Sequence, residues 1–139
     1  MRTSTAQGQW NGVLKSGNGT MTLGQNSFPF SFNSRMEGGA GSSPEDMLAA
    51  ALAGCFSMAL SADLEKAGFP AVQISSKAKA KFDNGSGKWT VESIDLEVEA
   101  KVPGIDNTKF QEVANGTRSA CPVSRALAAV QINLNAKLV

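Results

Sequence analysis

The chain contains two cysteines, Cys55 and Cys121, and no histidine. The thiolate is the nucleophilic and redox-active form of cysteine, so these two residues are the candidates for covalent or redox chemistry. The lack of histidine removes the commonest metal ligand and the usual general base. Two thiols are too few for a four-thiolate zinc site or a disulfide-rich secreted scaffold. We therefore expect thiol chemistry or none, without a metal or a cofactor.

The local contexts of the two cysteines differ. Cys55 lies in an apolar stretch with helical character, which is typical of an inert core cysteine. Cys121 directly precedes Pro122, so it occupies the N-cap position of a predicted helix, where free backbone amides favour a thiolate. From the residues alone, a structural role is favoured for Cys55, and both roles stay open for Cys121.

Cys55 lies within a long predicted helix. Ser43 as N-cap, Pro44 in the first position, and Glu45 and Asp46 in the first turn predict its start. Gly68 predicts its end near Lys66. One helical stripe of this helix is formed by Leu48, Leu52, Cys55, Ala59 and Ala62. Residues 47–60 are apolar on nearly every other side as well, so we expect the helix to be buried all round, partly by a partner subunit. This apolar run has fourteen residues, fewer than the roughly 20 that span a bilayer, so no membrane span is expected.

Alternating segments surround this helix. Residues 9–14, 20–23 and 28–32 predict an antiparallel meander in which the strand with Pro29 is an edge strand. Residues 72–82 and 89–102 predict a hairpin with a bulge near Glu92 and Ser93. Helices are predicted after Asp106 or Asn107 and from Pro122 to Ala129, and residues 130–138 predict a last strand. We expect one α+β domain over residues 1–139, with antiparallel sheets around a long central helix.

The composition limits the classes of function. Hydrophobic residues make up 42% of the 139 residues and charged residues 18%, which is typical of a folded chain. The net charge is +1, so no nucleic-acid partner and no membrane surface are expected. No signal peptide is apparent, so we expect a cytoplasmic protein with reduced thiols.

Several motifs together resemble the osmotically inducible protein C (OsmC) family, which includes the organic hydroperoxide resistance proteins. The resemblance covers essentially the whole chain and is specific around both cysteines. It is closer to the osmotically inducible branch. The matching segments are Ser-Pro-Glu-Asp-Met-Leu at 43–48, Ala-Gly-Cys-Phe-Ser-Met-Ala-Leu at 53–60, Ala-Cys-Pro-Val-Ser at 120–124, Phe-Asn-Ser-Arg-Met-Glu-Gly at 32–38, and Val-Pro-Gly-Ile-Asp at 102–106.

This resemblance implies a thiol peroxidase that acts on organic hydroperoxides as an intertwined homodimer in oxidative or osmotic stress. Cys55 matches the thiol that attacks the peroxide and Cys121 the thiol that resolves the sulfenic acid as a disulfide. Arg35 and Glu45 match the residues that activate Cys55. An external dithiol, for which a lipoyl group is one candidate, would reduce the disulfide.

Two features of this chain qualify the resemblance. Ser43 stands where many members carry Asn, and Leu52 where some carry His. Because the chain has no imidazole at all, formation of a Cys55 thiolate must rest on nearby charge and on backbone dipoles. On one straight helix Glu45 and Cys55 stand ~15 Å apart. Either the helix kinks at Gly54, or Arg35 and Glu45 serve Cys55 of the other subunit.

We expect an apolar pocket that favours alkyl hydroperoxides over hydrogen peroxide, lined by Phe56, Met58 and Phe28 or Phe30. Two alternative functions remain. A binding module would use such a pocket for a lipid-like or aromatic ligand without thiol chemistry. A redox sensor would use the disulfide to switch a partner and would not turn over efficiently.

Overall fold

The computed structural model describes all residues from 1 to 139. It divides into two compact units, Met1–Asp46 and Met47–Val139. In chain order, the elements are β1 (Gln7–Asn11), β2 (Asn18–Leu23), β3 (Asn26–Phe30), α1 (Phe32–Met36), α2 (Pro44–Lys66), β4 (Gln73–Asp83), β5 (Thr90–Lys101), α3 (Asn107–Ala120), α4 (Pro122–Ala126) and β6 (Gln131–Leu138). The predicted α+β class is confirmed.

The first unit is built on an antiparallel meander. Its sheet has the order β1-β2-β3, and Pro29 lies in the edge strand β3, as the sequence predicts. One expectation was wrong: Phe32 does not continue the strand but begins α1. Ser31 caps this helix and forms a reciprocal capping box with Ser34, and this local exchange of hydrogen bonds ends the strand at Phe30.

The second unit has a three-stranded sheet of order β4-β5-β6. β4 and β5 form the predicted hairpin, and its bulge leaves Glu92 unpaired, because Lys81 pairs with Ser93 and Phe82 with Val91. β6 pairs with β5 in the parallel direction, which corrects the expectation of purely antiparallel sheets. The connection through α3 and α4 crosses the sheet face before β6 begins, and such a crossover yields a parallel strand.

Helix α2 begins as the sequence predicts. The backbone amide of Ser43 donates to Asp46 (2.9 Å), and the amide of Asp46 donates to the Ser43 hydroxyl (3.1 Å). Its end is also as predicted: Gly68 adopts a left-handed φ of 89°, which only glycine adopts without strain, and closes the last turn. The predicted bounds of α2 are therefore confirmed.

The core of the second unit is formed by one face of α2 against the sheet and α3. The fully buried α2 side chains are Leu52, Phe56, Leu60 and Leu64. This stripe differs from the predicted one, which ran through Cys55 and Ala62, because an apolar surface all round leaves the pattern without a preferred face. By length and composition alone α2 would be long enough to cross a membrane, but this stripe packs as a core helix does.

The opposite face of α2 is not covered by the chain. Met58 is 79% exposed, and Ala51, Gly54 and Ala62 are exposed beside it. The expected burial on all sides is therefore absent within one copy. An exposed apolar face of this kind is typical of a surface that a partner covers.

Candidate functional site

In the second unit the two thiols lie side by side. Cys55 is half-buried in the middle of α2, and Cys121 is buried at the junction of α3 and α4. Their Sγ atoms are 2.8 Å apart, within hydrogen-bonding distance, and both cysteines are free. A disulfide requires about 2.05 Å, so only a small movement separates this dithiol from its oxidised form.

Cys121 is positioned by both helices that meet at it. Its amide donates to the carbonyl of Thr117, which ends α3, and its own carbonyl accepts from the amide of Arg125, which begins α4. Cys121 is thus the C-cap of one helix and the N-cap of the next, with Pro122 in the first position as predicted. The short α4 ends at Ala126 rather than at the predicted Ala129.

The two thiols have opposite pKa shifts. Burial raises the pKa of the Cys55 thiol, and its hydrogen bond with Cys121 raises it further. Burial alone would also raise the pKa of Cys121, but hydrogen bonds from Cys55 and from the amides of Ser124 and Val123 lower it, and so does the dipole of the nearby Ser124 hydroxyl. Within a single copy, Cys121 therefore ionises first and Cys55 keeps its proton.

In the first unit Arg35 and Glu45 form an ion pair. The Nε atom of Arg35 donates to both carboxylate oxygens of Glu45 (3.2 and 3.1 Å), and its Nη2 atom donates to Oε1 at 2.7 Å. Glu45 is buried, whereas the Arg35 side chain is 36% exposed. This geometry fixes the plane of the guanidinium and leaves part of it accessible to another molecule.

The segment between α1 and α2 brings these two residues together. Ser42 bonds the carbonyl of Pro29 through both its amide and its hydroxyl (2.9 Å each), and the Ser34 hydroxyl donates to the Ser42 carbonyl at 2.8 Å. The glycine-rich link therefore folds back onto the edge strand β3. As a result the first turn of α2, with Glu45, lies against α1, with Arg35.

An apolar groove of about 270 Å³ lies next to Arg35 in the first unit. Its lining residues are Trp10, Leu14, Phe30, Ser31, Phe32, Arg35 and Met36. Of the expected pocket residues, only Phe30 lines this groove. Phe56 is fully buried in the core of the second unit, so the expectation for Phe56 was wrong. Met58 lies on the exposed face of α2 and does not line this groove.

The structure thus pairs the four predicted residues as Arg35 with Glu45 and Cys55 with Cys121. The sequence did not indicate Ser124 as a partner of Cys121, although it lies within the matching segment 120–124. It also did not indicate Trp10, Phe32 and Met36 as groove residues. Their aromatic and apolar side chains were the only indication of a groove in the sequence, and core residues have side chains of the same types.

Comparison with known proteins identifies the family. The model of the family described as OsmC-like protein matches residues 37–135, and the chain belongs to this family. The protein named Peroxiredoxin OsmC from Escherichia coli strain K12 is 38% identical over 135 residues, which cover 95% of this chain and 94% of that protein. The resemblance found in the sequence is therefore confirmed.

Solved structures have the same fold. An OsmC-like protein from Mycoplasma pneumoniae superposes with a TM-score of 0.76 at 17% identity, covering 99% of this chain and 98% of that one. An organic hydroperoxide resistance protein from Elizabethkingia anophelis gives 0.74 at 20% identity, with 99% of both chains covered. At these identities the likeness establishes the fold of this chain.

Proposed function

We propose that the protein is a peroxidase that reduces organic hydroperoxides to alcohols by means of its two cysteines. The observation that carries this proposal is the pair of free thiols with Sγ atoms 2.8 Å apart. The relative named Peroxiredoxin OsmC, 38% identical over nearly the whole chain, supports the same activity. The buried position of Cys121 suits a thiol that reacts with its neighbour rather than with molecules in solution.

The changes of oxidation state in the reaction involve only the two thiols, the hydroperoxide and a reducing dithiol. The Cys55 thiolate attacks the distal oxygen of the hydroperoxide, the O–O bond breaks, and the alkoxide leaves as an alcohol after taking a proton. Cys55 is then a sulfenic acid. The Cys121 thiolate attacks its sulfur, a disulfide forms, and hydroxide leaves as water. An external dithiol, for which a lipoyl group is one candidate, reduces the disulfide through a mixed disulfide.

Arg35 would supply the positive charge that stabilises the thiolate form of Cys55. Burial raises the pKa of the Cys55 thiol, so attack on a peroxide requires a positive group that stabilises the thiolate. A guanidinium does this and also donates hydrogen bonds to the two peroxide oxygens. Glu45 would hold the guanidinium in one orientation through the paired hydrogen bonds.

A homodimer would bring this charge to the thiol. Residues 45 and 55 belong to the same helix, and a separation of ten residues corresponds to ~15 Å along a helix. Arg35 and Glu45 of one copy would therefore act on Cys55 of the other. The exposed apolar face of α2 around Met58 supports such an association, because a second copy would bury it.

The groove beside Arg35 would select the substrate. Its aromatic and aliphatic lining would bind the alkyl or aryl part of a hydroperoxide next to the guanidinium that binds the peroxide oxygens. Hydrogen peroxide has no such part and gains nothing from the groove. We therefore propose organic hydroperoxides as substrates, and a cytoplasmic role in oxidative or osmotic stress.

A binding module is the second candidate, because the groove is formed without either cysteine. The deciding measurement is steady-state consumption of cumene hydroperoxide with dithiothreitol as reductant. The peroxidase proposal expects turnover by the wild type, none by Cys55→Ser, and full turnover by the control Ser61→Ala on the same helix. Equal consumption by wild type and Cys55→Ser, together with unchanged binding of cumyl alcohol, would support the binding module instead.

A further inference from the structure

A second cavity, unrelated to the groove beside Arg35, lies in the second unit where α3, α4 and β6 meet. Its volume is about 430 Å³. The polar side chains that line it come from Arg118, Ser119, Ser124 and Arg125, and its apolar side is formed by Leu127, Ala128, Val130 and Ile132. No acidic side chain lines it, so its charge is entirely positive.

Both arginines lack an acidic partner. The ion pairs of the chain involve Arg35, Lys79, Lys81 and Lys109, and neither Arg118 nor Arg125 is among them. Two guanidinium groups beside one cavity repel each other unless an anion lies between them. A negative charge from outside the chain would relieve this repulsion.

The Ser124 hydroxyl points independently to a ligand. Ser124 is only 7% exposed and lines the cavity, and its Oγ atom lies near the Cys121 thiol but has no hydrogen-bond partner in the structure. Leaving a buried hydroxyl without a partner costs about 1–3 kcal/mol. A ligand oxygen in the cavity would accept this hydrogen bond, and a carboxylate or phosphate oxygen would do so most strongly.

We propose that this cavity binds a small organic anion, whose carboxylate or phosphate group lies between Arg118 and Arg125 and accepts a hydrogen bond from Ser124, and whose apolar part lies against Leu127, Val130 and Ile132. This site does not depend on the peroxidase chemistry. Although Ser124 adjoins Cys121, neither thiol holds the ligand, and the groove of the first unit is not part of the site. Binding therefore tests it without any measurement of activity.

The probes are octanoate, octyl phosphate and the neutral isostere octanamide, titrated into the full chain by calorimetry. We expect octanoate and octyl phosphate to bind at least roughly tenfold more tightly than octanamide, because charge-assisted hydrogen bonds are lost with the neutral head group. The tighter of the two anions identifies the head group. Equal affinities for octanoate and octanamide would overturn the proposal.

Variants locate the binding. Arg118→Gln and Arg125→Gln should each weaken octanoate binding by roughly tenfold and leave octanamide unchanged. The matched control is Lys109→Gln, which removes the same charge from α3 nine residues earlier, on the opposite side of the helix. If Lys109→Gln weakens octanoate binding as much as the arginine variants do, the attraction is non-specific and the proposal fails.

Ser124→Ala tests the buried hydroxyl separately. It should weaken octanoate binding severalfold, because one hydrogen bond to the anion is lost, and Ser124→Thr should restore part of it. Far-UV circular dichroism establishes that each variant is folded. Unchanged affinity in a folded Ser124→Ala would remove the hydroxyl from the site.

Discussion

The Thr117 hydroxyl donates a hydrogen bond to Oδ2 of Asp63 over 2.7 Å, and this bond joins the two helices that carry the thiols. Asp63 lies two turns beyond Cys55 on α2. Thr117, which is almost completely buried, accepts the amide of Cys121 at its own carbonyl (2.9 Å). One residue therefore contacts both the helix of Cys55 and the backbone of Cys121.

Removing this bond should destabilise the protein and slow disulfide formation. Thr117→Val keeps the shape of the side chain but leaves Asp63 without its buried partner, so we expect the free energy of unfolding to fall by about 1–3 kcal/mol. Urea denaturation measures this change. The control is Thr108→Val at the exposed start of α3, which should have little effect. Equal stabilities of the two variants would show that the bond contributes nothing.

The ultraviolet absorbance of the thiolates as a function of pH should show two thiols with different pKa values. Cys121 should ionise at lower pH than an ordinary thiol, because its hydrogen bonds lower its pKa, and Cys55 at higher pH, because burial raises its pKa. Cys55→Ala removes a donor to Cys121 and should shift its profile to higher pH. Cys55→Ser retains a donor and should shift it less. A lower pKa of Cys121 in Cys55→Ala would contradict this account.

Replacing each cysteine should block a different step of the reaction. Cys55→Ser should form no sulfenic acid, whereas Cys121→Ser should complete one turnover and accumulate sulfenic acid at Cys55. Excess peroxide should then drive that acid to sulfinic acid, unless the added dithiol resolves it. Intact-mass spectrometry after one equivalent of cumene hydroperoxide distinguishes these products. Oxidation of Cys55→Ser but not of Cys121→Ser would reverse the roles, as the lowered pKa of Cys121 in a single copy would allow.

Mixing two inactive variants should restore activity if the site is shared between subunits. Arg35→Ala retains Cys55, and Cys55→Ser retains Arg35, so a mixed dimer has one complete site. Random exchange makes half of the dimers mixed, and one of the two sites in each mixed dimer is complete. About one quarter of the wild-type turnover should therefore return. In the control, the double variant Arg35→Ala/Cys55→Ser replaces Cys55→Ser. No mixed dimer then has a complete site, so no turnover should return. No recovery after demonstrated subunit exchange would place Arg35 and Cys55 of one site in the same subunit.

A charge on the exposed face of α2 should prevent the association. Met58→Asp places a carboxylate in the apolar surface that a second copy would bury, and an unpaired buried charge is strongly unfavourable. We expect a monomer by sedimentation velocity at micromolar concentration, with lost peroxidase turnover. Met58→Leu should remain dimeric. A wild type that is itself monomeric at this concentration would refute the shared site.

Local signals in the sequence predicted much of this fold. Ser43, Pro44 and Asp46 fixed the start of α2 because a capping box involves only neighbouring residues. The bulge at Glu92 followed from the change of alternation between Val91 and Ile94. The contexts of both cysteines, compared with a known family, led to the candidate thiols before any contact between them was visible.

Other features depend on contacts that are distant in sequence. The alternation of residues 130–138 fits a parallel and an antiparallel strand equally well, because both directions present alternate residues to one face. Helix α1 was missed because Phe32 continued the alternation of Phe28 and Phe30, while the Ser31–Ser34 exchange that ends the strand is a weak signal. The buried stripe of α2 was misplaced because a helix that is apolar all round does not indicate which face meets the sheet.

The division of the aromatic residues provides two spectroscopic reporters. The chain has no tyrosine and two tryptophans, one in each unit. Trp10 packs against Phe30 in the groove of the first unit, and Trp89 stacks on Phe82 at the hairpin of the second. Trp89→Phe keeps only Trp10, so its tryptophan emission reports on the meander and on occupancy of its groove. Trp10→Phe keeps only Trp89, so its emission reports on the β4–β5 hairpin. Fluorescence of these two single-tryptophan proteins distinguishes sequential loss of the two units from a single cooperative transition.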